Sequence, residues 1–282
     1  MDAAAQRARV AGLFDQLSPG YDQNGVPWFT PIGARLVELT APRPGDRAID
    51  VGAGRGAATF ALLEAVGRLG HVTAVDLSSA MLDLLRSAAH ERGITNLDVR
   101  VGEASPEHLE AGPFDALTAS LVLFFDPEPD LTFGRWLALL RPGARIGLST
   151  FGPTDEAWTA AEAVLLRHAP PALLDARTTG RVGPFASTGS MATLFQNAGA
   201  TDVTSRDDPL EVTLPDAAAW RSWTMTLGLR QLWEAVPSDQ LDGVLAEVST
   251  ALEADRGDDG MLHLTQQVRY TTGSAGTLAR TD

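Results

Sequence analysis

Apolar and polar positions change their period along the chain in a way that predicts alternating strands and helices from residue 47 to residue 151. Short, continuously apolar runs predict buried strands, and apolar residues three or four positions apart predict amphipathic helices. Their alternation is typical of a doubly wound, mostly parallel sheet with helices on both faces. The predicted strands lie at 48–51, 71–75, 97–101, 114–119 and 145–151, and the predicted helices at 58–66, from 78 or 79 onward, and at 131–140.

The pattern is looser on both sides of this block and predicts additions to the same domain, because no linker is long enough to demand a second one. We expect an N-terminal helical arm at 1–40, a core at 41–151, lid insertions with a C-terminal edge hairpin at 152–272, and a flexible tail at 273–282. The predicted helices of these regions lie at 5–17, 30–39, 155–168, 188–197, 216–232 and 238–254, and the predicted strands at 201–214 and 261–271.

Three glycines follow the first strand, in the run AIDVGAGRGA at residues 48–57. Gly52, Gly54 and Gly56 let the chain turn tightly and let a ligand approach main-chain N–H groups at a helix N-terminus. The run also satisfies the dinucleotide fingerprint, so the glycines alone leave two cofactors open. Asp50 separates them, because a carboxylate two residues before the first glycine would oppose a pyrophosphate. We therefore expect a ligand that carries an ammonium and a sulfonium.

The pattern D-x-G-x-G-x-G resembles the first motif of class I S-adenosylmethionine-dependent methyltransferases. Phe114-Asp115 in the fourth strand and the turn L-L-R-P-G at 139–143 are similar to later segments of that family, so the resemblance covers residues 44–151. Phe14-Asp15 and Tyr21-Asp22 resemble pairs of the ubiquinone and menaquinone methyltransferase branch, whose arm folds over the cofactor. The resemblance implies a Rossmann-like, seven-stranded sheet with an antiparallel last strand, a helical lid, and S-adenosyl-L-methionine as cofactor.

Candidate cofactor-binding residues stand at the ends of the predicted strands, where open α/β sheets bind their ligands. Asp76 ends the second strand 20 residues beyond Gly56, the position that grips ribose hydroxyls. The resemblance implies that Asp50 and the glycine loop hold the methionine part and that Glu103, where the usual residue is Asp, faces the adenine amino group. The full set of candidates is Tyr21, Asp50, Gly52, Gly54, Gly56, Asp76, Leu77, Met81, Glu103, Ala104 and Ser120.

Composition and charge narrow the classes of partner. The formal net charge of −14, from 36 acidic and 22 basic residues, argues against a nucleic acid or an anionic membrane as partner. The chain has no cysteine, which excludes disulfides, thiolate metal sites and a cysteine nucleophile. No run reads as a secretory signal or as a membrane span, so we expect a cytoplasmic protein. A homodimer is left open.

Five of the six tryptophans lie outside residues 44–151, in the regions where the arm and the insertions would build a substrate pocket. A lid rich in aromatic residues suits a small apolar or aromatic metabolite, as in secondary metabolism, better than a macromolecule. Trp220 and Trp223, three residues apart on one predicted helix face, are also typical of core packing. The sequence therefore favours a small-molecule substrate.

Methyl transfer from a sulfonium is an in-line displacement, so the protein needs chiefly to align the reactants and to exclude water. The residues that could serve as a base or positioning group are Tyr21, His168 and His263, of which Tyr21 ranks first for positioning. The five histidines form no metal-binding spacing. Prolines project the acids of residues 126–130 from an extended turn. Such a turn is usually solvated, so we expect no metal.

Two other activities stay open. One is an enzyme of the same fold that keeps S-adenosylmethionine but catalyses a rearrangement or cyclisation instead of methyl transfer. The other is an NAD(P)-dependent oxidoreductase, which Asp50 disfavours.

Overall fold

The computed structural model describes residues 3–22, 25–109, 112–170 and 182–276. Within this part of the chain, one sheet has seven strands. They are β1 (Arg47–Val51), β2 (His71–Asp76), β3 (Leu97–Val101), β4 (Phe114–Ser120), β5 (Leu140–Thr154), β6 (Ala200–Leu214) and β7 (Leu262–Ala275). Their spatial order is β3-β2-β1-β4-β5-β7-β6.

The sheet is parallel except for β7. β1 pairs in parallel with β2 and β4, β2 with β3, and β4 with β5. β7 runs antiparallel between β5 and β6. The strand order reverses between β1 and β4, and open α/β sheets bind ligands at such a switch point, outside the carboxyl ends of the strands. The predicted fold class, including the antiparallel last strand, is confirmed.

Helices flank the sheet and form the arm and the insertions. They are α1 (Ala3–Leu17), α2 (Phe29–Thr40), α3 (Ala57–Val66), α4 (Ser79–Glu91), α5 (Pro129–Leu137), α6 (Glu156–Leu166), α7 (Thr188–Asn197), α8 (Ala217–Thr224), α9 (Arg230–Glu234) and α10 (Leu241–Leu252).

Polar side chains cap the first turn of several of these helices. The Ser78 hydroxyl accepts a hydrogen bond from the Met81 N–H at 3.1 Å and caps α4. Asp216 caps α8 in the same way through Ala219 N–H at 2.8 Å. Such a cap satisfies one of the main-chain donors that a helix leaves free at its start. The helix predicted at 238–254 begins three residues later, at Leu241, so Ser238 does not cap it.

Several predicted helices and strands have other bounds in the structure. The predicted helix at 216–232 is divided into α8 and α9, and Gly228 lies in the turn between them. The predicted helix at 131–140 ends at Leu137, because β5 already begins at Leu140, which pairs with β4 ahead of a register shift.

β7 extends four residues beyond its predicted end at residue 271, because Gly273 and Ser274 still pair with β5. The predicted flexible tail therefore overlaps a strand at 273–275. The rest of that tail, at 277–282, lies outside the described residues, as does the stretch 171–181 of the predicted lid.

The core is continuous from the sheet into the insertions. Trp28, Trp158 and Trp223 are each at most 3% exposed, and their ring centroids lie 5.1–5.8 Å apart. This cluster joins the residues after α1 to α6 and α8, and the same hydrophobic core includes sheet residues such as Ile146 and Leu148. None of the helices in the described part of the chain is long and apolar enough to cross a membrane.

Candidate active site

The glycine loop at residues 52–56 has the left-handed backbone that its sequence requires. Gly52, Gly54 and Gly56 have φ angles of +67°, +52° and +99°, values that residues with a side chain rarely adopt. A Cβ on Gly52 would lie 2.1 Å from a Val122 methyl, and one on Gly56 would lie 2.6 Å from Leu85. The loop therefore brings bare main chain to the carboxyl end of β1, at the switch point of the sheet.

Asp50 is buried behind this loop. Its two oxygens accept hydrogen bonds from the Thr59 hydroxyl at 2.6 Å and the Thr118 hydroxyl at 2.9 Å. Burial raises the pKa of Asp50 to about 6, and the two hydroxyls limit the rise because they stabilise the charged form. Asp50 thereby ties β1 to α3 and β4 from within the core.

Asp76, at the end of β2, holds the glycine loop from the other side. One carboxylate oxygen accepts the Gly54 N–H at 2.8 Å, and the other accepts the Ser78 N–H at 2.8 Å. Burial raises the pKa of Asp76 above its ordinary value, although these N–H donors oppose the rise. Two cofactor-contacting segments predicted separately are thus joined in one hydrogen-bonded unit.

A cavity of about 140 Å³ lies outside the carboxyl ends of the strands and under α1. Nine of the predicted cofactor-binding residues line it together, which are Tyr21, Gly52, Gly54, Asp76, Leu77, Met81, Glu103, Ala104 and Ser120. The remaining two, Asp50 and Gly56, line an adjoining groove of about 970 Å³. Cavity and groove share Tyr21, Gly52, Gly54 and Ser120.

The donor set of this site fits S-adenosylmethionine. Carboxylates at the ends of β2 and β3, Asp76 and Glu103, can accept from ribose hydroxyls and from an amino group. Apolar side chains, including Leu77 and Met81, supply the walls that a flat base requires. The carboxylate of Asp50 beside the glycine loop offers a negative field to a cation. The N–H groups of Gly52, Gly54 and Gly56 already donate to Val75, Asp76 and Ala53.

The N-terminal arm closes over the cavity through three polar contacts. Arg7 Nε donates to Asp126 at 3.2 Å. Asp15 accepts from the Ser78 hydroxyl at 2.6 Å. Arg55 Nη1, on the glycine loop, donates to the Tyr21 carbonyl at 2.6 Å. The contacts connect the arm to the glycine loop, to the residues after β2 and to the turn after β4.

Tyr21 stands where the cavity and the groove meet. Its ring stacks on Phe29 with centroids 4.4 Å apart and meets the edge of Phe14 at 5.9 Å. Burial raises the pKa of the Tyr21 hydroxyl well above 10.0, and the nearby charges of Asp22 and Asp76 raise it further. Tyr21 is therefore a neutral hydroxyl, able to donate a hydrogen bond but not to act as a base near neutral pH.

The two histidine candidates lie away from these spaces. His263 is exposed, and its Nε2 lies 3.0 Å from each carboxylate oxygen of Asp259. His168 follows the end of α6, and its main-chain N–H donates a hydrogen bond to the Leu165 carbonyl. Neither histidine lines the cavity or the groove, whereas Tyr21 lines both.

The tryptophans of the arm and the insertions are core residues, as the spacing of Trp220 and Trp223 on one helix face indicates, and they do not build the cavity. Trp28, Trp158, Trp220, Trp223 and Trp233 are at most 3% exposed, and none of them lines the cavity. The tryptophan that does line it is Trp136, on α5 of the central core. The other aromatic residues of the cavity wall are Phe14, Tyr21 and Phe125.

Sequence reasoning missed the basic residues of the site. Arg7, Arg55 and Arg135 line the cavity or the groove. Arg55 could have been suspected from its place between Gly54 and Gly56. Arg7 could not, because it meets Asp126 across 119 residues. Among the described residues, no three acidic or histidine side chains form a group that could hold a metal ion.

Comparison with known families agrees with the site. Residues 48–143 match the methyltransferase domain family. The chain is 36% identical to nocamycin O-methyltransferase of Saccharothrix syringae over 273 residues, covering 93% of this chain and 96% of that protein. It is 35% identical to aklanonic acid methyltransferase of Streptomyces sp. over 53% of this chain and 68% of that protein. These names favour methyl transfer over the two other activities considered.

Two further similarities bear on the branch and on the cofactor. A ubiquinone/menaquinone biosynthesis C-methyltransferase of Brucella anthropi is 36% identical over 114 residues, 39% of this chain and 43% of that protein. A phosphoethanolamine N-methyltransferase structure from Haemonchus contortus, which contains S-adenosylhomocysteine, superposes with a TM-score of 0.52 at 15% identity. That superposition covers 87% of this chain and 52% of that one, and at this identity it shows the shared fold. Together with the nearly full-length relative, these matches show that the chain belongs to the class I S-adenosylmethionine-dependent methyltransferases.

Proposed function

We propose that the protein methylates an oxygen atom of a small, largely apolar or aromatic organic acid in secondary metabolism. An oxygen acceptor is supported by the relative that is named an O-methyltransferase, and an acid by the relative named for aklanonic acid. The cavity wall supports the apolar or aromatic character, because Phe14, Phe125 and Trp136 contribute to it. The proposal concerns the acceptor, since S-adenosylmethionine as methyl donor follows from the family.

The observation that carries the proposal is the state of Tyr21. Because burial raises the pKa of the Tyr21 hydroxyl, this hydroxyl stays protonated. It can donate a hydrogen bond but does not remove a proton from the acceptor. The histidines of the described chain lie outside the cavity and the groove. An acceptor whose oxygen is already ionised at neutral pH, such as a carboxylate, needs no base.

The reaction then balances without a proton transfer by the protein. A carboxylate oxygen of the acceptor forms a bond to the methyl carbon, the carbon–sulfur bond breaks, and its electron pair stays on sulfur. The products are a neutral methyl ester and S-adenosylhomocysteine with an uncharged thioether. Opposite charges disappear as the transition state forms, so a site that excludes water favours the reaction.

This chain's own residues would supply alignment. Tyr21 and Ser120 border both the cavity and the groove, at the point where donor and acceptor would meet. The hydroxyl oxygens of Ser120 and Ser149 lie 3.0 Å apart and share a hydrogen bond, which limits rotation of the Ser120 hydroxyl. The arm would exclude water by closing over this point, and well-oriented reactants of this kind gain a large rate advantage over free ones.

The proposal is tested with S-adenosylmethionine labelled in its methyl group and a panel of aromatic and aliphatic acids, phenols and amines. We expect label to enter carboxylic acids and to return as volatile methanol after mild alkaline hydrolysis, because esters are cleaved under conditions that leave ethers and methylamines intact. Label that stays in the product after alkali would refute the acid acceptor while leaving the methyltransferase activity intact.

A further inference from the structure

Two buried polar atoms of the cavity have no hydrogen-bond partner among the described residues. They are Arg7 Nη2 on α1 and Thr132 Oγ1 on α5. Both residues line the cavity. Thr132 is 9% exposed, and the Arg7 side chain is 15% exposed. Buried polar atoms in native proteins are nearly always paired, so two unpaired ones in one cavity indicate a polar ligand that reaches both.

The other contacts of Arg7 show which side of its guanidinium group is still without an acceptor. Its Nε donates to Asp126 at 3.2 Å, and Glu103 lies 3.6 Å from the same nitrogen, too far for a strong hydrogen bond. A guanidinium carries five N–H donors in a rigid fork. One side of the fork is thus anchored on the turn after β4, and the other side presents donors to the cavity.

This arrangement complements the edge of an adenine base. Adenine has an amino group that donates hydrogen bonds and ring nitrogens that accept them. Glu103 and Asp126 supply acceptors, whereas Arg7 Nη2 supplies a donor and the Thr132 hydroxyl supplies either. Leu77 and Met81, two of the predicted cofactor-binding residues, border the same cavity.

We propose that Arg7 and Thr132 form hydrogen bonds to the ring nitrogens of the cofactor's adenine. The bound base would then hold the N-terminal arm closed over the cavity. Arg7 lies on α1, and the groups around it, Glu103 and Asp126, belong to the segments after β3 and β4. A base bound between them gives Arg7 Nη2 an acceptor. The proposal rests on the cofactor and is independent of which acceptor is methylated.

A structural role for Arg7 alone makes a different prediction. If Arg7 only clasped the arm to Asp126, its removal would weaken every ligand of the cavity by the same factor. Reading the base requires instead that the effect depend on the ring nitrogens. The comparison of ligands therefore separates the two roles, whatever the effect on stability.

The experiment is calorimetric titration of the full chain with S-adenosylhomocysteine and with its 1-deaza and 7-deaza analogues, in which one ring nitrogen is replaced by C–H. We expect at least one analogue to bind the unaltered protein on the order of 10-fold more weakly, as for a lost hydrogen bond to a charged donor. In Arg7→Met, which keeps the apolar stem, that penalty should disappear. Arg9→Met is the matched control, since Arg9 is exposed on the same helix, and it should keep the full penalty.

A second variant tests the same proposal in case Arg7→Met unfolds the arm. Thr132→Val keeps the shape of the side chain and removes its hydroxyl, and we expect it to reduce the penalty for a deaza analogue without affecting unfolding. The proposal is overturned if Arg7→Met and Thr132→Val discriminate between the three ligands as the unaltered protein does. If the unaltered protein binds none of them, the cofactor assignment fails instead.

Hydrogen exchange gives a readout that does not depend on affinity. Adenosine at saturation should slow exchange in residues 3–17, whereas S-ribosylhomocysteine, which lacks the base, should not. In Arg7→Met, adenosine should lose this effect. Equal protection of the arm by both ligands would contradict closure by the base.

Discussion

Asp15 Oδ1 lies 2.6 Å from the hydroxyl oxygen of Ser78, 63 residues further along the chain. The Ala80 N–H also donates to Asp15, at 3.2 Å. An anion of the arm thus occupies the N-terminus of α4, where the helix dipole favours negative charge. Since the Ser78 main-chain N–H donates to Asp76, the anchor of the arm is directly adjacent to the residue expected to hold the ribose.

Asp15→Ala should therefore loosen the arm and weaken the cofactor site together. We expect faster hydrogen exchange in residues 3–22 and S-adenosylhomocysteine binding up to about tenfold weaker, because a charge-assisted hydrogen bond is lost. The matched control is Asp83→Ala, which removes an exposed carboxylate from the same α4. Unchanged exchange in the arm of Asp15→Ala would contradict this anchor.

Asp76→Ala tests the hydrogen-bonded unit at the end of β2. We expect binding of S-adenosylhomocysteine to weaken by one to two powers of ten, or about 1.5–3 kcal/mol, because the ribose and the Gly54 N–H both lose their acceptor. Asp98→Ala, an exposed acid on β3, serves as control. Calorimetry that gives equal affinities for the two variants would rule out a ribose contact for Asp76.

Asp50 makes the stability of the protein depend on pH. Its pKa in the folded state is raised from 3.8 to about 6, so its contribution is fully present below about pH 4 and is lost as the pH rises through about 6. Asn does not titrate. As the pH rises from about 4 to about 6, we therefore expect the free energy of unfolding of Asp50→Asn to increase by up to about 3 kcal/mol relative to that of the unaltered protein. Urea unfolding at both pH values measures this gain, and parallel pH profiles of the two proteins would contradict it.

The fold and the position of the site could be predicted because both depend on local sequence. Strand and helix periods gave the order of elements, and the residues after each strand, such as Asp76 and Glu103, necessarily meet at one edge of a parallel sheet. The sequence does not reveal which side chains far apart along the chain face one another. Asp50 proved to face Thr59 and Thr118 in the core, not the main cavity.

Long-range contacts also explain the other errors. The tryptophans outside the central core could line a pocket or a core by sequence, with a core favoured for Trp220 and Trp223. Only packing places Trp28, Trp158 and Trp223 against one another. The early end of α5 depends on the pairing of Leu140 with Phe114 on another strand. No periodicity in the sequence reports such a partner.

Neither histidine candidate should prove to be a general base. We expect His168→Ala and His263→Ala each to lower kcat less than about tenfold, well below the roughly 10²- to 10⁴-fold loss expected for a true base. Treatment with EDTA should leave the activity unchanged, since alignment does not require a metal. A more than thousandfold loss in either variant, with normal cofactor binding, would identify that histidine as the base.

The central claim is that transfer occurs by alignment, to an acceptor oxygen that is ionised before it reacts. The most direct test is the single-turnover rate of methyl transfer as a function of pH, from about pH 4 to about pH 9, in the unaltered protein and in Tyr21→Phe. We expect one rise, at the pKa of the bound acid, followed by a plateau. In Tyr21→Phe the plateau should be lower with an unchanged midpoint, because the raised pKa of Tyr21 keeps its hydroxyl neutral throughout. A second midpoint that disappears in Tyr21→Phe would show that Tyr21 removes a proton and would contradict the account.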